Sequence, residues 1–189
     1  AYRNVIKNFW GEDSEAYRAL GNADTNWQDE VLRTTISQDY NLSVGGTAGF
    51  LPYRVSANFT DNKGIVPNSS MKRVTAGINL TPKFFDDHLS VQLNVKGYYF
   101  RNNFVDGGGA VGAAVAFDPT HPVYDNTIQM TDNSTSKLYD GYFVWRNGAS
   151  YNINATDNPV AIINARDNYA DVFRSNGNLQ LDYAIHGFE

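Results

Sequence analysis

Between Met71 and Arg101 the side chains alternate in character over two long runs. Val74, Ala76, Ile78 and Leu80 fall on one side of the first run, with Arg73, Thr75, Gly77 and Asn79 on the other. Leu89, Val91, Leu93 and Val95 alternate in the same way with Ser90, Gln92, Asn94 and Lys96. A period of two predicts β-strands with one apolar and one wet face, over Met71–Thr81 and Leu89–Arg101, joined by a turn at "PKFFDDH". The same reading gives strands at Tyr40–Gly46 and Tyr53–Asp61, the latter with Val55, Ala57 and Phe59 on one face. A fifth run, "NLQLDYAIHG", sets Leu179, Leu181, Tyr183 and Ile185 against Gln180, Asp182, Ala184 and His186.

Helix signals stand out in the first forty residues, and the long loop that follows the fourth strand is either functional, disordered or structured locally. Asp13 or Ser14 is a plausible N-cap for "GEDSEAYRALGN", with Gly21 as the stop, and Thr25 or Asn26 precedes a brief acidic-first turn in "TNWQDEVLR". The chain therefore divides into an outer-loop segment with short helices at 1–39, two hairpins at 40–101, a long loop at 102–177 and a fifth strand at 178–189. Short links join strands one to two and three to four; longer ones join two to three and four to five. In an up-and-down sheet both longer loops fall on one side, the asymmetry of transmembrane barrels. Eleven residues at about 3.3 Å each and a tilt near 40° rise roughly 28 Å, enough for the hydrocarbon layer. Aromatics flank the apolar stretch at both levels: Tyr40, Phe59 and Tyr98–Phe100 toward the long loops, Phe50, Tyr53, Phe84, Phe85 and Phe188 toward the short turns. The expected fold is all-β, antiparallel up-and-down strands of a partial transmembrane barrel. A soluble secreted β-sandwich that binds carbohydrate is the alternative.

Composition narrows the function. The formal charge of −5 argues against nucleic acid as a partner. Cysteine is absent, which removes disulfides, thiol catalysis and Cys-ligated zinc. Charged residues make 19% and aromatics 14%, a balance that suits secreted or outer-membrane β proteins. No apolar run approaches the roughly 20 residues of a membrane helix, and the first ten residues show no leader pattern.

Enzyme motifs fail on context. "GGGAVG" at Gly107–Gly112 satisfies G-x-G-x-x-G, but the helix it would open is halted by Asp118-Pro119 and no parallel strands surround it, so a loop of small residues is expected. His88, His121 and His186 have no ligand spacing, Asp86-Asp87 reads as a solvated turn, and there is no G-x-S-x-G elbow. The six Asn-x-Ser/Thr triplets, Asn58-Phe59-Thr60 among them, follow from a polar face rich in Asn and Thr. No catalytic residue, metal or cofactor is expected.

The order of short motifs is more specific. "TNWQD" at Thr25–Asp29, Gly45-Gly46, "YRVS" at Tyr53–Ser56, "GIV" at Gly64–Val66, Asn68-Ser69, Arg73, Asn79-Leu80, "DPTHPVYD" at Asp118–Asp125, Asn158-Pro159 and "NGNLQLDYAI" at Asn176–Ile185 follow one another along nearly the whole chain. In this order they resemble the SusC/RagA-type TonB-dependent transporters of the Bacteroidetes outer membrane. The resemblance implies a 22-stranded barrel filled by a plug, driven by TonB, importing oligosaccharides or peptides with a SusD-like lipoprotein, and seated in outer-membrane lipid. Against that pattern the chain lacks a plug, a TonB box and a closing strand, so it is expected to be an early-barrel segment of a longer transporter.

Two groups carry functional weight. Arg54, Asn58, Arg73, Asn94, Lys96 and Asp182 lie on the wet face, expected to meet the plug or the lumen. Tyr139, Tyr142, Phe143, Trp145 and Arg146 in the long loop suit a sugar ring or a protein partner, or else a local loop core. That loop, Asn102–Gly177, has a net charge of −4 and mildly disfavours anionic substrates.

Overall fold

The computed structural model describes residues 1–125, 141–147, 150–165 and 167–185. Tyr139, His186 and Phe188 therefore lie outside the described residues. The chain divides into two compact units: one of residues 35–63, 70–103 and 169–189, the other of residues 1–34, 64–69 and 104–168.

The first unit is a sheet. Its strands are β1 (Gln38–Ala48), β2 (Leu51–Lys63), β3 (Ser70–Leu80), the two-residue β4 (Lys83–Phe84), β5 (Leu89–Phe104) and β8 (Asn168–Tyr183). β1 pairs β2, β2 pairs β3 and β3 pairs β5, all antiparallel, and β8 pairs β5. The β5–β8 contacts also run in opposite directions: Arg101 meets Asp171, and His88 accepts at its carbonyl from the Ala184 amide at 2.7 Å. The expected all-β, up-and-down antiparallel fold is what the chain adopts, with main strands of 11 to 16 residues.

Local chemistry sets the connections. Ala48 faces Leu51, so Gly49-Phe50 is a two-residue hairpin loop, and Gly49 supplies the left-handed φ of 64° that such a turn needs. The "PKFFDDH" turn holds three consecutive left-handed residues, Phe85, Asp86 and Asp87, and is bridged by Lys83 Nζ to Asp87 at 3.5 Å.

The second unit is helical with its own core. It contains α1 (Tyr2–Trp10), α2 (Glu15–Arg18), α3 (Trp27–Val31), α4 (Gly107–Ala116) and α5 (Pro159–Asn164), with a small ribbon of β6 (Arg146–Asn147) and β7 (Ser150–Tyr151). Trp27, Val31, Val66, Ala110, Ala114, Phe117, Val160 and Ile163 form the buried cluster. Asn158 is fully buried and caps α5: its Oδ1 accepts from the Val160 and Ala161 amides, and its Nδ2 donates to the carbonyls of Val123 and Phe143.

Three sequence expectations change here. Gly107–Gly112 is not a loop but the start of α4, capped by Asp106 accepting from the Gly109 amide at 2.8 Å. Burial of Ala110, Ala113 and Ala114 offsets the poor helix propensity of its glycines. The fifth strand begins at Asn168 rather than Asn178, because pairing with β5 continues where the apolar alternation stops. α1 and α5 lie in segments that alternation alone leaves unassigned.

Candidate functional site

Strand register converts the alternation into continuous rows. On one face Val44, Val55, Ile78 and Val95 stand side by side across β1, β2, β3 and β5, as do Leu42, Ala57, Ala76 and Gly97. Toward the short turns follows the row Gly46, Tyr53, Leu80 and Leu93. Toward the long loops follows Tyr40, Phe59, Val74 and Tyr99, with the Tyr40 and Phe59 rings stacked 6.5 Å apart. The next row on the same face is Gln38, Asp61, Lys72 and Arg101. Arg101 donates from Nε and Nη2 to Asp171 at 2.7 and 2.6 Å, and the Tyr99 hydroxyl donates to the same carboxylate at 2.8 Å. An apolar band thus ends in an aromatic row and then, one step on, in charge. Its side chains are open: Leu42 is 69% and Val44 57% exposed.

The opposite face carries Arg54, Asn58, Arg73, Asn94 and Lys96, as the alternation requires. Asp182 follows by alternation from Asn176 along β8 and accepts from Gln180 Nε2 at 2.9 Å. Asp39 anchors a network there: Thr60 Oγ1 donates to it at 2.6 Å, Asn41 Nδ2 at 2.6 Å and Asn58 Nδ2 at 2.9 Å. Arg73 Nη2 reaches Thr60 Oγ1 at 3.4 Å, and among the described residues its Nε is buried without a hydrogen-bond partner. Asp39, Asn41, Asn58 and Arg73, with Lys96 and the stacked rings of Tyr98 and Phe100, line a recess of about 720 Å³. A second recess of about 350 Å³ involves Arg54, Ser56, Gly77, Asn79, Asn94 and Lys96. Asn79 and Asn94 hydrogen-bond each other.

Tyr142, Phe143, Trp145 and Arg146 all belong to the helical unit and are half-buried. Phe143 and Trp145 pack edge-on, 5.4 Å apart, and both meet Phe117. Tyr142 lies 5.0 Å from Tyr124, and its hydroxyl accepts from Asn164 Nδ2. The spacing of the histidines gives no hint that His121 completes this cluster. Its ring stacks on Phe143 at 4.2 Å, meets Trp145 at 4.7 Å, and hydrogen-bonds through Nε2 to the Ala19 carbonyl at 3.1 Å. Burial lowers the His121 pKa, against the opposing pull of Asp118 and the Ala19 carbonyl. Among the described residues no cluster of His, Asp or Glu has metal-ligand geometry.

Long antiparallel strands in sequential order, apolar on one face and polar on the other, define the wall of a β-barrel of the membrane type. No helix of the described residues is long and apolar enough to cross a membrane. No family model matches the chain. "TonB-dependent receptor SusC" of Bacteroides thetaiotaomicron is 38% identical over 193 aligned positions, covering 98% of this chain and 19% of that protein. "TonB-dependent receptor P3" of Formosa agariphila is 29% identical over 134 positions, covering 64% of this chain and 13% of that protein. The chain belongs to the SusC-type TonB-dependent receptors. It spans less than a fifth of the length of either of these relatives.

Proposed function

We propose that the chain forms part of the barrel wall of an outer-membrane nutrient importer, one that takes up oligosaccharides or peptides with energy from TonB and a SusD-like lipoprotein as partner. The observation that carries the membrane part is the register. Five residue rows on one face run from Leu93 to Arg101 along β5, apolar up to an aromatic row and charged immediately beyond it. With Leu89 and Val91 included, the apolar run on β5 ends at Tyr99. It rises roughly 25 Å at 3.3 Å per residue and a tilt near 40°, the height of a barrel's lipid-facing band. Water would leave Leu42, Val44 and Val55 hydrated, whereas lipid removes that cost. The relatives supply the transport part of the reading, both being named TonB-dependent receptors.

The polar face then looks inward. Arg54, Asn58, Arg73, Asn94, Lys96 and Asp182 meet a plug or the watery lumen, where charged and amide groups keep their hydrogen bonds. The half-exposed edges of Tyr142 and Trp145, whose other sides pack on the loop core, and the half-buried Arg146 are the part of the loop cluster available to substrate or the lipoprotein.

A membrane wash tests the location: carbonate should leave the full-length receptor in the membrane fraction, and its release would sink the reading. Substrate follows from deleting the gene and comparing growth on defined glycans and on peptides. A deficit on neither class would remove the import proposal.

A further inference from the structure

The charged row at the end of the apolar face has an unbalanced feature. Lys72 and Arg101 are direct cross-strand partners on β3 and β5, and like charges placed opposite one another repel. Lys63 stands one step further out on the same face, opposite Ser70. Arg101 is held by Asp171 through two hydrogen bonds, and Tyr99 donates to that same carboxylate, so Asp171 is already engaged on both oxygens. Asp61 faces Lys72 across β2 and β3, yet among the described residues neither Lys63 nor Lys72 forms an ion pair. Three cations thus gather over two successive rows, beside Asp61 and Asp171, in a chain whose net charge is −5.

We propose that Lys63, Lys72 and the outward edge of Arg101 bind the phosphate of an outer-leaflet lipid headgroup, whose acyl chains lie on the apolar rows beneath. The inference rests on the membrane reading above. Its level fits: the cations begin one row, about 5 Å, beyond the aromatic row, where headgroups start and where lysine stems can lie along apolar surface with the ammonium in water. Its chemistry fits too. A phosphate offers several anionic oxygens to ammonium and guanidinium donors at once, and would turn the Lys72–Arg101 repulsion into a shared contact. The adjoining Val74, Leu42 and Val44 give an amphiphile a second foothold that free phosphate cannot use.

The test uses the full-length receptor in phosphatidylcholine nanodiscs. Native mass spectrometry measures retention of phosphorylated lipid A against its dephosphorylated form, with inorganic phosphate as competitor. Phosphorylated lipid A should bind more tightly, inorganic phosphate should compete poorly, and Lys63→Gln and Lys72→Gln should each weaken binding about fivefold, as expected for one cation near an anionic surface. Both variants leave the Arg101–Asp171 pair intact, so loss of binding does not reflect a broken β5–β8 contact. Equal retention of the two lipids, an unchanged Lys72→Gln variant, or inorganic phosphate bound as well as the lipid would each overturn the proposal. Failure of the receptor to enter nanodiscs would instead overturn the membrane reading.

Discussion

Val95→Arg separates a lipid-facing wall from a water-facing one by magnitude. Val95 stands in the row Val44–Val55–Ile78–Val95. Along β5 it lies four residues from Tyr99 and six from Leu89, so roughly 10 Å from one edge of the band and 15 Å from the other. That is close to mid-height, where an arginine facing lipid costs about 2–4 kcal/mol. At about 1.4 kcal/mol per decade, the folded-to-unfolded ratio falls roughly thirty-fold to several-hundred-fold. The side chain is 38% exposed in the chain itself, so in water the same change should stay within about 0.5 kcal/mol. Gln92→Arg, on the polar face of the same strand, is the control, expected to be near neutral. The assay is reversible guanidinium unfolding of the full-length receptor in lipid vesicles, read as midpoint and slope. A Val95→Arg midpoint indistinguishable from that of Gln92→Arg would refute a lipid-facing row.

Three further expectations concern the helical unit. Asn158→Ala removes the α5 cap and strands two part-buried carbonyls, so the unit should lose about 2 kcal/mol and become protease-sensitive near Val123 and Phe143. Gly21→Ala would press a methyl group into the Thr120 carbonyl oxygen, with His121 Nδ1 3.0 Å away; a loss of about 1–3 kcal/mol is expected by the same assay. Because burial lowers the His121 pKa below 6.5, the unfolded unit binds the proton more readily. Its stability should be complete above pH 6.5 and decline as pH falls below that value toward the folded-state pKa. Hydrogen exchange of the α4 amides, corrected for intrinsic pH dependence, should show this decline, and His121→Phe should abolish it.

Where alternation is unbroken, the sequence was easy to read. Strands expected at 71–81 and 89–101 are found at 70–80 and 89–104, because each has a face that must be uniformly apolar. The first ten residues of β8 were not legible for the converse reason. Asp171 lies at the level of the charged row and Ser175 and Gly177 interrupt the rest, so neither face of Asn168–Gly177 is apolar throughout. α1 left a helical trace in Tyr2, Ile6 and Phe9 that a search for period two passes over. The loop aromatics could be assigned either to a ligand surface or to a core, since the partners that bury one side of Phe143 and Trp145 are Phe117 and His121, more than twenty residues away. The charged row was equally hidden: Asp61, Lys72, Arg101 and Asp171 share a face only through register, which no local pattern encodes.

The face assignment on β3 is open to direct measurement. This chain has no cysteine of its own; with any cysteine elsewhere in the full-length receptor replaced, single cysteines at positions 73 to 80 can carry nitroxide labels in lipid. Collision rates with oxygen, which partitions into lipid, should be high at Val74, Ala76, Ile78 and Leu80 and low at Arg73, Thr75, Gly77 and Asn79, with a water-soluble nickel reagent giving no matching peak on the first set. A uniform profile, or access of the nickel reagent to both sets alike, would contradict a membrane-facing wall.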